Sequence, residues 1–207
     1  MAHFILIHGA YGSRNENWFP WIRRELHRLG QHVHTPEFTT PEGQCLDSWM
    51  RSFRHCRRYM RPDTVLIGHS LGCAFILSLL EGRKRPVRAA FMIAGFIGKL
   101  GISEFDGLNT TFTDKEFDWR SIRKNCLKFR FFASANDPYV PVEKVRQLAK
   151  FVKRRPRVIK DAGHFNEECR FMRFDALLTE IKRLLAKARE PKSAVPRSRK
   201  PRRRTHP

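Results

Sequence analysis

Three residues of this 207-residue chain have the types and the spacing to transfer an acyl group. Gly68-His69-Ser70-Leu71-Gly72 is a G-x-S-x-G stretch, placed between the apolar run Thr64-Val65-Leu66-Ile67 and the apolar run Cys73-Ala74-Phe75. A strand that turns sharply into a helix at such a stretch exposes the serine hydroxyl at its top. A serine hydroxyl is a poor nucleophile unless a base takes its proton. His164, in Asp161-Ala162-Gly163-His164-Phe165, is the candidate base, because the one later histidine, His206, sits in a basic tail. Asp137 follows the apolar run Phe129-Arg130-Phe131-Phe132-Ala133 and is the candidate acid that orients the imidazole. Asp161 is its runner-up, and Asp106, Asp114 and Asp118 fit less well.

Negative charge developing on a carbonyl oxygen needs two backbone donors. The first expected donor is the N–H of Leu71, the residue after the serine. The second comes from His8-Gly9-Ala10-Tyr11-Gly12, with Ala10 preferred and Tyr11 second. This stretch lacks the Lys-Ser/Thr ending of a phosphate-binding loop and the third glycine of a dinucleotide fingerprint. His8 and His69 flank the two loops and are expected to organise loop hydrogen bonds. His3, His27, His32, His34 and His55 have no metal-ligand spacing with acidic partners. Neither a metal nor an organic cofactor is expected.

The elements that must position these residues alternate along the chain. Strand signals cover 2–8, 32–35, 64–68, 87–94, 127–133 and 157–160. Helix signals cover 18–29, 45–59, 71–82, 142–152 and 168–188. Pro20 falls in the first turn of its helix, where a missing N–H costs nothing. This alternation predicts an α/β fold, a three-layer α/β/α sandwich on a mostly parallel sheet without a large lid domain. Functional residues in such sheets gather at the carboxyl ends of the strands. Residues 95–118 carry no strong signal and read as a long loop, functional rather than idle. The domain is expected over 1–188. A basic, disordered tail is expected over 189–207, which holds eight Lys or Arg and one Glu.

Composition sets the setting for this chemistry. A hydrophobic fraction of 41% with 17 Phe argues for a packed core. No apolar run approaches the roughly 20 residues that span a bilayer, and the start shows no secretory signal. The five cysteines are odd in number, widely spaced and never in a C-x-x-C pair, so they read as free thiols of a cytoplasmic protein. The formal net charge of +21 would attract polyanions weakly and without sequence preference, through the tail above all.

The chain resembles the small serine hydrolases of the retinoblastoma-binding-protein-nine type, which include the bacterial YdeN proteins. The resemblance runs over most of residues 3–185. It is carried by Ile7-His8-Gly9 with Asn17-Trp18-Phe19-Pro20-Trp21, by Ile67-Gly68-His69-Ser70-Leu71-Gly72, and by Phe117-Asp118-Trp119 with Ile122. Asn136-Asp137-Pro138-Tyr139-Val140-Pro141 and Ala162-Gly163-His164-Phe165-Asn166 complete it. It implies the set Ser70, Asp137 and His164, a compact sandwich, and activity on small ester substrates; an amide stays open. Tyr11, Trp18 and Phe96, with Phe112 and Phe117, are candidates to line an acyl pocket. The competing reading is a non-catalytic protein on the same scaffold, whose basic surface and tail grip nucleic acid or another polyanion.

Overall fold

The computed structural model describes residues 1–187, so the tail at 189–207 and the last residue of the expected domain lie outside the described residues. In chain order the elements are β1 (His3–Ile7), α1 (Phe19–Arg28), β2 (His32–His34), α2 (Leu46–Ser52), a 3-10 segment (Phe53–Tyr59), β3 (Val65–His69) and α3 (Leu71–Glu81). There follow β4 (Ala89–Ile93), α4 (Ser103–Thr113), α5 (Trp119–Lys124), β5 (Phe129–Ser134), α6 (Val142–Phe151), β6 (Arg157–Ile159) and α7 (Asp175–Ala186).

The six strands form one sheet in the order β2-β1-β3-β4-β5-β6. Every neighbouring pair is parallel, with Ile7 opposite Gly68 and His69 opposite Ile93. The chain steps outward from β1 to β2, then returns to the other side of β1 to lay down β3. Strand order therefore reverses between β1 and β3, and the crevice above that switch point is where open α/β sheets bind ligands.

The central strands are apolar throughout because both faces of the sheet are covered. Ile5, Leu66, Ala90, Met92 and Phe131 join one core with Trp49, Phe53, Phe75 and Phe112. Phe4, Leu6, Ile67, Phe91 and Phe132 are equally buried but point away from that core, as do Phe19, Ile22 and Leu26 of α1. Helix α3 is buried on every side from Leu71 to Leu80, since it lies against the sheet as well as α4 and α5. Helix α7 is amphipathic, with Leu177, Leu178, Ile181 and Leu184 on its apolar side. Among the described residues no helix is long and apolar enough to cross a membrane.

The structure corrects three expectations. Residues 95–118 are not one long loop, because they contain α4. That helix is hard to read: Gly107 sits inside it, Thr110, Thr111 and Thr113 are β-branched, and Ile102 at its start offers no side-chain cap. The final helix begins at Asp175 rather than at residue 168. Asn166 Oδ1 accepts the Cys169 N–H (3.2 Å) and Arg170 adopts φ 55°, which holds the preceding segment in turns. The helix expected over 45–59 tightens into the 3-10 segment at Phe53.

Candidate active site

Ser70 stands between β3 and α3 with φ 52° and ψ −123°, a conformation that L residues rarely adopt. Its N–H donates to Ile93 O at the end of β4 (2.8 Å), which fixes the turn to the neighbouring strand. The turn is possible because its surroundings leave no room for side chains. A Cβ on Gly72 would lie 2.5 Å from Ile7 O and 2.6 Å from His8 O, both immovable backbone atoms. A Cβ on Gly9 would lie 2.8 Å from Ser70 Cβ, so only glycine lets the loop after β1 come against the serine. Gly72→Ala is therefore expected to lower stability by at least roughly 2 kcal/mol, read from the urea midpoint, because β1 and α3 must part.

The loop after β1 is aligned by His8, which is buried at 2% exposure. Its Nε2 accepts the Phe38 N–H (3.1 Å), so its Nδ1 carries the proton and donates to Gly9 O (2.8 Å). Burial lowers the His8 pKa and keeps the ring neutral. Gly9 O and Ala10 N–H belong to one trans peptide and point in opposite directions. Tying down the carbonyl thus orients the Ala10 N–H, which makes no hydrogen bond among the described residues. The Tyr11 N–H, by contrast, is taken by Thr40 Oγ1 (2.7 Å). Leu71 opens α3, so its N–H has no partner within the helix.

Asp137 follows β5 and His164 follows β6. His164 Nδ1 lies 3.0 Å from Asp137 Oδ1 and 2.9 Å from Oδ2, with the carboxylate side chain 1% exposed. Asp137 Oδ1 also accepts the N–H groups of Tyr139 and Val140, each at 2.9 Å. Asn136 Oδ1 accepts the Gly163 N–H (3.0 Å) and so ties the two loops together. Asp161, the runner-up acid, is exposed and makes no bond to His164 among the described residues.

The His164 ring lies edge-on to Tyr139 (5.1 Å between centroids) and 4.8 Å from His69. His69 donates from Nε2 to His164 O (2.8 Å). Burial, followed by the neighbouring His164, lowers the His69 pKa to about 3. Unfolded, this histidine binds its proton near 6.5. As pH falls below 6.5 the unfolded chain takes up the proton and the folded one does not, so stability is lost until about 3. Lowering the pH from 7.5 to 5 should cost roughly 2 kcal/mol through His69 alone. Urea titrations at the two pH values test this, and His69→Gln, whose amide can still donate to His164 O, should shrink the loss. Some loss should remain, because burial also lowers His34, to about 4.

Ser70 and His164 open into one cavity of about 640 Å³. Tyr11 and Phe96, the acyl-pocket candidates, and Ala10, the candidate oxyanion donor, are among its lining residues. No hydrogen bond joins Ser70 to His164 among the described residues; such contacts often tighten only when substrate binds. Trp18 does not line the cavity. It is fully buried at the head of α1, edge-on to His69 and Phe174, with no partner for its Nε1 among the described residues. Phe112 and Phe117 likewise belong to the core. The wall also holds residues the sequence did not single out: Glu104, Phe105 and Asn109 of α4, Tyr139, and Glu16 and Glu168. The first three were hidden with their helix. Tyr139 stands two residues past Asp137, which was the available signal. Among the described residues no group of three or more His, Cys, Asp or Glu is placed to hold a metal ion.

Comparison with known proteins gives the family and the fold. The family model for serine hydrolases matches residues 4–183. The YdeN protein of Bacillus subtilis (strain 168) is 26% identical over 165 residues, covering 79% of this chain and 85% of that protein. Serine hydrolase RBBP9 of Rattus norvegicus is 23% identical over 190 residues, covering 89% of this chain and 96% of that protein. The crystal structure of the B. subtilis ydeN gene product superposes with a TM-score of 0.84 at 24% identity, over 90% of this chain and all 100% of the other. Est1E from Butyrivibrio proteoclasticus, solved with ferulic acid bound, shares the fold at a TM-score of 0.69 and 13% identity, over 90% of this chain and 89% of the other. With the match reaching from β1 into α7, this chain belongs to the serine hydrolase family, as an α/β hydrolase of the YdeN and RBBP9 type.

Proposed function

We propose that the protein hydrolyses small carboxylic esters through an acyl-enzyme formed on Ser70. The observation that carries this reading is the convergence of Ser70 and His164 on one cavity, with Asp137 bonded to the far side of the imidazole. Ser70 Oγ attacks the ester carbonyl carbon, and its proton passes to His164 Nε2. Asp137 holds the Nδ1–H tautomer and stabilises the imidazolium. The N–H groups of Leu71 and Ala10 receive the oxyanion; the second is supported by the His8 bond that aims it. The carbon–oxygen bond to the alcohol then breaks, and the alkoxide takes the proton from His164. Water repeats the sequence in reverse and releases the acid.

An ester is preferred over an amide because its leaving group departs more readily. The test is a burst assay with a short-chain 4-nitrophenyl ester. One equivalent of nitrophenolate should appear ahead of the steady rate, and acid quenching should leave the protein heavier by one acyl group. Turnover with neither burst nor adduct under saturating ester, or no turnover at all, contradicts the proposal.

A further inference from the structure

The cavity over Ser70 has the opposite charge character to the chain that encloses it. The sequence holds 41 Lys and Arg against 20 Asp and Glu, so an anion-binding cavity would be the expectation from net charge alone. The lining reverses it: among the described residues, Glu16, Glu104, Glu167 and Glu168 face the cavity and no Lys or Arg does. None of these four makes an ion pair with Lys or Arg among the described residues, whereas Glu81 and Glu143 elsewhere pair with Lys115 and Arg146. Their hydrogen bonds come from neutral donors that leave the charge in place. Tyr11 Oη donates to Glu104 (2.5 Å), Tyr139 Oη and Asn166 Nδ2 each donate to Glu168 (3.2 Å), and the Ser13 N–H donates to Glu16 (3.2 Å).

The carboxylates are joined by an aromatic band. Phe105 meets Tyr11 edge to face (5.9 Å, 78°) and Tyr139 edge to face (5.5 Å, 75°). Each tyrosine therefore presents a ring beside a glutamate it is bonded to, and its hydroxyl is held protonated: the bond to Glu104 raises the Tyr11 pKa, and burial, followed by Glu168, raises that of Tyr139. Ring faces beside carboxylates attract cations by two additive routes, the ring quadrupole and direct charge. The same cavity mouth repels carboxylates and phosphates as they approach.

We propose that the cavity takes esters that carry a positive charge, an ammonium or a guanidinium, on their acyl or alcohol part. The inference rests on the reading of Ser70 as nucleophile and adds the substrate class. The test compares 4-nitrophenyl esters of matched length: 6-aminohexanoate, heptanoate and the monoester of adipate. A parallel set carries the charge on the alcohol side. In at least one set, kcat/KM for the ammonium ester should exceed the neutral one about tenfold and the anionic one by more. The ratio should shrink in 0.5 M salt and in the Glu104→Gln, Glu168→Gln double variant.

A readout that needs no turnover is the rate at which a fluorophosphonate labels Ser70. Hexylammonium should slow it more than hexanoate or hexanol at equal concentration. Equal rates across both ester sets, or a preference for the anionic ester, in protein that labels at Ser70 would overturn the charge inference and leave the nucleophile intact. Absence of labelling at Ser70 would overturn the nucleophile and the inference with it.

Discussion

Ser70→Ala is expected to lower hydrolysis of a 4-nitrophenyl ester by about 10⁶-fold, to the level that binding and backbone donors alone supply. The size follows from the chemistry, since among the described residues no other hydroxyl opens onto the cavity beside His164 except the phenols of Tyr11 and Tyr139, both committed to glutamates. Stability should stay within about 0.5 kcal/mol of the wild type. Alanine keeps the Cβ, so the strained φ of 52° is neither worsened nor relieved. Ser70 Oγ has no hydrogen-bond partner among the described residues, so its removal leaves no buried group unpaired. Circular dichroism and urea unfolding check the second statement, and steady-state kinetics the first.

Asp137→Asn should cost about 10⁴-fold in kcat with the fold retained. The carboxylate accepts two backbone N–H groups on the oxygen that also faces His164, and both would still find an amide oxygen there. The amide nitrogen must then face His164 Nδ1 as a donor. That forces the imidazole proton onto Nε2, the atom that has to accept the serine proton. The expected signature is a fall in kcat with KM little changed, because nothing that contacts the ground-state ester has moved.

How far the site could be read from the sequence depended on how local each signal is. Ser70 lies inside five residues whose glycines and flanking apolar runs already describe a strand turning into a helix. Asp137 follows the apolar run 129–133 and His164 the short strand signal at 157–160, so their place at a strand's carboxyl end was legible without knowing which strands pair. The sequence ranks Ala10 above Tyr11 but does not hold the physical reason, because the Thr40 bond that occupies the Tyr11 N–H spans 29 positions. Trp18 was misplaced for a related reason. An aromatic residue ahead of a helix reads alike in a pocket or in the core, and its burial against Phe174 and His69 is a long-range fact. Helix α4 escaped notice because its helix formers are diluted by glycine and threonine and held by tertiary contacts. With it went the acidic and aromatic wall of the cavity.

The central claim, that Ser70 is a nucleophile activated by its setting, is tested most directly by fluorophosphonate labelling followed by mapping of the adduct. The account predicts one adduct, on Ser70, formed rapidly in the wild type, slowed by orders of magnitude in His164→Gln, and absent from Ser70→Ala. An adduct on any other residue, or folded wild-type protein that takes up no probe, would contradict it.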